Sequence, residues 1–326
     1  SIGPGTKLPT RGHIGHDDWT NSYDEQVAGL VEGGADLLII ETSQDLLQAK
    51  TVLASIMDYF KKIGRRIPVI TQVTVETTGT LLVGSDIVAA LTTLEPYPID
   101  VIGMNCATGP DKMADHIRYL CNNTDRFISA IPNAGIPENV GGETVYPLQP
   151  EEMSETLNYF VEDFGVNIVG GCCGTTPDHL EMLVNTVADK APKDREVYWE
   201  PAASSLYQSV NLDQDPPPLI VGERTNANGS KKFKNLLDAE DWDGMVEMAK
   251  EQEQGGAHMI DVCTAYVGRD EVRDMHEVVT RFNKQVTIPL MIDSTEWEVI
   301  EEALKNITGR AVVNSINLED GEERTA

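Results

Sequence analysis

The sequence of 326 residues predicts an α/β protein made of two β/α barrels of the TIM type in tandem, both incomplete in this chain. Three observations lead to this fold class. Short apolar runs alternate with amphipathic segments, which indicates a parallel sheet with helices packed outside it. Most apolar runs end in polar or reactive residues, as expected where the carboxyl ends of barrel strands face one mouth. A proline-rich stretch divides the alternation into two parts.

The first part contains five predicted strand and helix units. A helix over 23–32 stops at two glycines and leads into a buried strand at 35–42, which is followed by a helix over 46–63. Further strand-like runs lie at 68–75, 100–107, 127–134 and 166–172. A closed barrel needs eight strands, and the opening residues 1–5 resemble the tail of an earlier unit. We therefore expect about three strand units to be missing from the amino end.

The second part begins after 190, where the periodicity fades and prolines interrupt any regular element, so residues 191–217 are predicted to be a linker. Strands follow at 219–224, 258–264, 289–294 and 311–316, with helices over 241–254, 271–284 and 296–305. These four units form half of a second barrel. The predicted domains are thus 1–190 and 218–326, and we expect such a fragment to be inactive alone.

Composition limits the partners and the compartment. Lys and Arg total 25 against 53 Asp and Glu, giving a formal net charge of -28, so we expect neither nucleic acid nor anionic membrane as a partner. No apolar run approaches the roughly 18 residues that span a bilayer. Five cysteines, two of them adjacent, do not form the pattern of a secreted disulfide framework, which favours a reducing cytoplasm.

Three cysteines are the candidate metal ligands. Cys172 and Cys173 lie between glycines at the end of one apolar run, and Cys106 ends another. Adjacent strand residues point to opposite faces, so both sulfurs serve one centre only if the backbone leaves strand geometry, as the neighbouring glycines allow. Three thiolates from two strand ends would form a zinc site with an open fourth position, the arrangement of a catalytic metal.

These residues also allow other interpretations. Cys172 and Cys173 have an alternative interpretation as buried small hydrophobic residues. Cys106, at the end of another predicted strand, favours zinc instead. Cys121 and Cys263 are interpreted as structural. His179 falls at a predicted helix start, where it is a surface or capping residue rather than a fourth ligand.

Several motifs carry a family resemblance. GMNCATGP at 103–110, PNAG at 132–135 and GGCCGTTP at 170–177 resemble the homocysteine-binding barrel of cobalamin-dependent methionine synthases. VGERTN at 221–226 and GSKKF at 229–233 resemble the opening of the folate-binding barrel in that family, and MIDS at 291–294 and VNSI at 313–316 are similar to its later strands. The resemblance covers nearly the whole chain and includes two modules in the family's order.

The resemblance implies a chemistry for the first module. Zinc held by Cys106, Cys172 and Cys173 would bind the homocysteine sulfur and release its proton, so that the thiolate attacks a methyl group. In the family this methyl group is carried by cobalamin, which implies a cobalamin-binding domain or subunit as a partner outside this chain. The same resemblance assigns the homocysteine amino group to Glu41, with Thr42 and Asn105 as helpers.

For the second module the resemblance implies 5-methyltetrahydrofolate as the methyl donor. Polar residues at strand ends can match the donors and acceptors on a pterin edge. The implied contacts are Glu223, Asn226, Asp261, Asp293 and Asn314. Relatives carry Asp-Val-Asn where this chain has Asp261-Val262-Cys263. As alternatives, Asp293 caps the following helix, and lysines 231, 232 and 234 form a solvated face rather than contact a glutamate tail.

Three other functions remain open at this stage. A cobalamin-independent homocysteine S-methyltransferase would use the same cysteines with a sulfonium donor, but it would need no folate module. A non-catalytic zinc scaffold would lose its fold when a cysteine is replaced, whereas an enzyme would lose zinc and homocysteine binding while staying folded. Chemistry like that of dihydropteroate synthase fits the second module but leaves the first unexplained.

Overall fold

The computed structural model describes residues 1–315, so Ile316, the last residue of the predicted strand at 311–316, and the motif position it occupies lie outside the described residues. The chain divides into two compact units. One unit consists of Ser1–Leu8 and Asp17–Trp199, and the other of Pro9–His16 and the residues from Glu200 onward. Each unit contains its own parallel sheet.

The first unit has a five-stranded parallel sheet in the order β1-β2-β3-β4-β7. These strands are β1 (Leu38–Ser43), β2 (Val69–Val73), β3 (Val101–Asn105), β4 (Phe127–Ile131) and β7 (Ile168–Val169). Ile2 forms a further parallel bridge with Ile40 on β1. A separate antiparallel hairpin, β5 (Glu138–Val140) with β6 (Glu143–Val145), follows β4.

Six helices accompany this sheet: α1 (His16–Glu32), α2 (Leu46–Ile63), α3 (Ile87–Leu94), α4 (Pro110–Asn123), α5 (Pro150–Tyr159) and α6 (Pro177–Val187). The boundaries of α2 follow from its sequence. The Asp45 side chain accepts a hydrogen bond from Leu47 N at the start, and Gly64 takes a left-handed conformation at the end. A π-helical turn at Phe160–Phe164 extends α5.

The second unit has a four-stranded parallel sheet in the order β10-β11-β12-β13. Its strands are β10 (Val221–Gly222), β11 (Met259–Val262), β12 (Leu290–Asp293) and β13 (Val312–Asn314). An antiparallel hairpin, β8 (Ala202–Ser204) with β9 (Ser209–Asn211), lies within the range predicted as a linker. Ser204 N donates to Arg310 O at 3.0 Å, which ties this hairpin to the segment before β13.

The helices of the second unit are α7 (Lys231–Asp238), α8 (Trp242–Gln254), α9 (Glu271–Gln285) and α10 (Trp297–Asn306), and Pro9–Arg11 adds a 3-10 turn. Their apolar faces and the strands bury one core that includes Phe233, Val246, Ile260 and Phe282. Helices α8, α9 and α10 lie within one or two residues of the predicted ranges, whereas α7 was not predicted.

These elements confirm the prediction of parallel α/β units with strands in chain order. Several predicted boundaries differ from the structure, and the largest differences are in α1 and β7. Helix α1 begins at His16 instead of residue 23, because Trp19 and Tyr23 bury their rings on the same helix face. Strand β7 is only two residues long, because the chain leaves strand geometry at Gly170. No helix among residues 1–315 is both long enough and apolar enough to cross a bilayer.

Candidate metal centre

The three candidate cysteines lie at the carboxyl edge of the first sheet. Cys106 directly follows β3, and Cys172 and Cys173 follow β7 after two glycines. Strand β4 stands between β3 and β7, so two strand spacings, roughly 10 Å, separate the two strand tips. The backbone at the end of β4 holds both tips, because Cys106 N donates to Ile131 O at 3.1 Å and Cys172 N donates to Pro132 O at 2.7 Å.

The structure brings the three sulfurs together. The Sγ atoms of Cys106, Cys172 and Cys173 all lie within 4.8 Å of one another. The distance from Cys106 Sγ to Cys173 Sγ is 3.7 Å, and that from Cys172 Sγ to Cys173 Sγ is 3.9 Å. Sulfurs bonded to one tetrahedral zinc at about 2.3 Å would be separated by about 3.8 Å. The donor set therefore fits three corners of a zinc tetrahedron, and Cys173 is exposed to solvent beside it.

Left-handed backbone conformations make this convergence possible. Within residues 1–315, four non-glycine residues have positive φ. Three of them are Cys106 (65°), its neighbour Ala107 (59°) and Thr42 (58°), which is hydrogen bonded to Asn105. Such values are uncommon outside glycine and are outliers for β-branched residues such as threonine. Gly174 also has a positive φ of 77°. Strain of this kind collects at functional sites because the surrounding structure has to hold it in place.

Asn105 links the first strand of the sheet to the cysteines. Its Oδ1 accepts from Thr42 N at 2.7 Å, and its Nδ2 donates to Thr42 Oγ1 at 2.8 Å and lies 3.9 Å from Cys172 Sγ. Asn105 is buried, so these bonds satisfy both ends of an amide that has left water. The structure thus places Asn105 beside the Cys172 sulfur and Thr42 in hydrogen-bond contact with Asn105.

Glu41, the third of these residues, lies on β1 next to Thr42. Its carboxylate accepts a hydrogen bond from the Ser1 hydroxyl, and its backbone N donates to Ile2 O at 3.1 Å. The carboxylate is only partly buried, so it keeps access to solvent at the same sheet edge.

The pKa values of Cys106 and Cys172 are shifted in opposite directions. The pKa of the Cys106 thiol is lowered to about 5, chiefly by a hydrogen bond with Cys172, against the opposing effect of burial. Hydrogen bonds with the Ala107 backbone, Cys173 and Asn133 contribute to the same lowering. The pKa of Cys172 is raised, because its proton is held by the Cys106 sulfur. At neutral pH the cluster therefore carries negative charge, which favours a bound cation.

Three further residues lie at this site, and the sequence assigned none of them a binding or catalytic role. Asn133 follows β4 and accepts from Cys173 N at 3.1 Å. The pKa of Tyr146 is raised by burial, then by the charge of Cys173 and a hydrogen bond with it. His179 is buried and forms a capping box with Thr176, which bears out a capping role and contradicts a surface one. Its Nε2 also bonds Leu148 O at 2.9 Å.

A second polar cluster lies at the carboxyl edge of the second sheet. Asn226 Nδ2 donates to Asp261 Oδ2 and to Asp293 Oδ2, both at 2.9 Å. Asn314 pairs with Asp293 in the strand register, and Asn314 O accepts from Ser294 N at 2.9 Å. Asp293 therefore directs its carboxylate to Asn226, while the neighbouring Ser294 Oγ accepts from Glu296 N at the start of α10.

The electrostatics of this cluster centre on Asp261. Burial raises the pKa of Asp261 to about 6, opposed by the Asn226 hydrogen bond and supported by the charges of Asp293 and Glu223. Glu223 itself is exposed. Cys263 is buried, and Asn228 Nδ2 lies 3.6 Å from its Sγ.

Known proteins resemble this chain along both parts. The family described as homocysteine S-methyltransferase matches residues 1–187, and the family described as pterin binding enzyme matches residues 222–326. The chain is 46% identical to methionine synthase of Mycobacterium tuberculosis over 322 residues and 46% identical to methionine synthase of Mycobacterium leprae over 327 residues. Each alignment covers 99% of this chain, which spans 27% of the length of each relative.

A solved structure shows a weaker likeness. The apo form of the homocysteine methyltransferase MmuM from Escherichia coli matches with a TM-score of 0.45 and 20% identity, over 57% of this chain and 60% of that one. The sequence match to residues 1–187 extends over more than half of the chain. The chain therefore belongs to the homocysteine S-methyltransferase family.

Proposed function

We propose that the chain takes part in methyl transfer from 5-methyltetrahydrofolate to homocysteine, by way of cobalamin bound to another domain, giving methionine and tetrahydrofolate. Residues 1–190 would bind zinc and homocysteine, and residues 218–326 would bind the pterin. Both sheets would belong to β/α barrels whose mouths carry the two clusters. The observation that carries the proposal is the sulfur spacing of 3.7 and 3.9 Å, which matches a zinc tetrahedron.

In the first unit Cys106, Cys172 and Cys173 would hold zinc through their sulfurs. Zinc bound there supplies Lewis acidity, which favours the thiolate form of a bound substrate thiol. The Asn105 amide contacts the cluster, because its Nδ2 donates to Thr42 Oγ1 and lies 3.9 Å from Cys172 Sγ. Glu41 offers a carboxylate for the substrate ammonium at the same sheet edge.

In the second unit Asp261 and Asp293 offer acceptors for pterin NH groups, and Asn226 bridges them with both hydrogens of its amide. Glu223 and Asn314 would complete the contacts. Across the whole reaction the homocysteine sulfur gains the methyl group and loses its proton, while N5 of the folate loses the methyl group and gains a proton. The assignment of cobalamin as the methyl carrier rests on the similarity to methionine synthases.

The test is zinc content measured together with homocysteine binding, before and after Cys172→Ser. We expect one zinc per unmodified chain, and loss of both zinc and homocysteine binding in the variant with the fold retained. Cys121→Ala provides the control, because Cys121 is buried in α4 away from the cluster and should leave zinc unchanged. Full zinc content in Cys172→Ser would contradict the proposal, and loss of folding there would favour a structural zinc scaffold.

A further inference from the structure

The loop that follows β10 carries two of the residues proposed to contact the pterin, Glu223 and Asn226. Strand β10 is only two residues long, so its pairing with β11 ends before this loop begins. Further along, an isolated bridge joins Asn226 to Cys263, and Ala227 N donates to Cys263 O at 2.9 Å. The start of the loop, at residues 223 and 224, therefore needs support from outside the sheet.

The side chain of Gln252, on α8, supplies this support. Gln252 is 7% exposed, and both ends of its amide are hydrogen bonded to the loop. Its Oε1 accepts from Arg224 N at 2.6 Å, and its Nε2 donates to Thr225 Oγ1 at 3.2 Å. Burial of an amide away from water is costly unless its oxygen and nitrogen both find partners, and here both do. Gln252 therefore ties the loop to α8.

Thr225 extends this connection to the carboxylate cluster. Its side chain is fully buried, and its hydroxyl accepts from Gln252 while donating to Asp261 O at 2.5 Å. A hydroxyl has one hydrogen to donate, so the direction of both bonds is fixed. The loop carries Glu223 on one side of Thr225 and Asn226 on the other, and the Asn226 amide donates to the Asp261 carboxylate. One relay, from Gln252 through Thr225 to Asp261, thus sets the position of the loop relative to the carboxylate.

Gly222 leaves the space that the Gln252 side chain occupies. A Cβ added at residue 222 would lie 2.9 Å from Gln252 Oε1 and 3.2 Å from Gln252 Cβ. Both distances are shorter than a favourable van der Waals contact, so an alanine there would push the amide away from Arg224 N. The glycine of the VGERTN motif lets a helix side chain reach the loop.

We propose that Gln252 is a positioning residue for pterin binding: its amide holds the loop that carries Glu223 and Asn226 in place against Asp261. This role rests on the proposed folate function of the second unit. Groups that bind a ligand have to be held to within roughly 0.5 Å, and the side chains behind them provide that precision. Loss of the Gln252 amide should therefore weaken several pterin contacts at once, although every contacting group remains.

The direct test is Gln252→Met, which keeps the length of the side chain and removes both hydrogen bonds. We expect the affinity of the full chain for 5-methyltetrahydrofolate, measured by calorimetric titration, to fall about 10- to 100-fold. Thr225→Val breaks the same relay at its hydroxyl and should lower affinity in the same direction. In the double variant the losses should not add, because both substitutions interrupt one relay.

Asn283→Leu is the matched control. Asn283 is buried on α9, accepts from Thr308 N at 2.9 Å and donates to Thr308 Oγ1 at 3.0 Å, so it is also a buried amide with two hydrogen bonds. Thr308 precedes β13, at the edge of the sheet opposite the carboxylates. Denaturant unfolding should show that both Asn283→Leu and Gln252→Met are destabilised, whereas only Gln252→Met should lose affinity for the folate.

Two results would overturn the role of Gln252 while the folate function stands. One is unchanged affinity in Gln252→Met, or in Thr225→Val if the first variant does not fold. The other is an equal loss of affinity in Gln252→Met and Asn283→Leu. An unmodified chain that binds no 5-methyltetrahydrofolate would overturn the proposed pterin function and this role together, so the two failures can be told apart.

Discussion

At the scale of single residues, Asn226 bridges the two carboxylates of the second cluster. Its amide nitrogen has two hydrogens, and both are used by the carboxylates of Asp261 and Asp293. These two acids lie close enough for the charge of Asp293 to raise the pKa of Asp261. An amide that donates to both lowers the cost of placing two carboxylates side by side.

Replacement of Asp293 by Asn should weaken 5-methyltetrahydrofolate binding about 10- to 100-fold. The reason is that a charged acceptor for pterin NH groups is lost, which typically costs about 1.5–3 kcal/mol. Binding can be followed by calorimetric titration. Asp243→Asn, on the first turn of α8, is the matched control, and equal losses in both variants would contradict a specific role for Asp293.

The raised pKa of Asp261 also predicts a pH dependence of stability. Because the folded-state pKa lies near 6 and the unfolded value near 3.8, the folded protein holds the proton more tightly. Protonated Asp261 therefore contributes on the order of 1–3 kcal/mol to the free energy of unfolding. This contribution is fully present below pH 4 and is lost as the pH rises to about 6. Denaturant unfolding of the unmodified chain and Asp261→Asn across pH 4–7 should show a smaller fall in the variant. Parallel curves would refute this account.

At the scale of elements, the loop between β7 and α6 carries two of the three clustered cysteines of the first unit. Its cysteines, Gly174 and the capping residue Thr176 occupy a few consecutive positions, so the helix start and the cysteine cluster are formed by the same short segment. Pro177 at the first turn and the Thr176–His179 capping box fix where α6 begins. Changes in this loop therefore act on packing and on the sulfurs at once.

Gly174→Ala should be more destabilising than its left-handed φ alone explains. A Cβ there would meet the Tyr146 ring at 2.2 Å, whereas one at Gly79, with a φ of 86°, would meet no atom within 4 Å. Left-handed strain costs about 1–3 kcal/mol, and forced displacement of a packed side chain costs a similar amount again. Denaturant unfolding of both variants isolates the second contribution. Equal free energies of unfolding would mean that the ring moves away without cost.

The elements also show what a sequence can predict. Cys106, Cys172 and Cys173 were predicted to converge because apolar runs ending in cysteine have parallel carboxyl ends, and the structure brings their sulfurs together. Tyr146 could not be found in this way, because its position depends on the β5–β6 hairpin and on contacts with residues 134 and 179 that are distant in sequence. The sequence contains the PNAG motif at 132–135 but does not show that Asn133 accepts a hydrogen bond from Cys173 N. That bond depends on β4 lying between β3 and β7.

At the scale of the whole molecule, the two units have separate sheets and separate polar clusters. A ligand that binds only the folded form of one unit stabilises that unit by mass action, by about 2.7 kcal/mol when its concentration is 100 times its Kd. The sequence predicted two modules of this kind from the break in periodicity. It did not predict that Pro9–His16 groups with the second unit, because a short segment without apolar periodicity gives no signal for such packing.

Zinc should therefore act on one thermal transition of the chain. We expect calorimetry to show the transition of the first unit moving upward with added zinc and downward with a chelator, while that of the second unit stays in place. Cys172→Ser should abolish the shift. A zinc effect of equal size in Cys172→Ser would place the bound metal elsewhere in the protein.

The short distance between the Cys106 and Cys173 sulfurs also affects how the protein has to be purified. Their sulfurs are 3.7 Å apart, and a covalent sulfur–sulfur bond requires an approach to about 2.05 Å. One of these neighbours is the readily ionised Cys106, and thiolates are the form that oxidants attack. Air exposure of preparations stripped by chelation should consume these thiols first, so reductant during purification will decide how much of the sample can be reloaded.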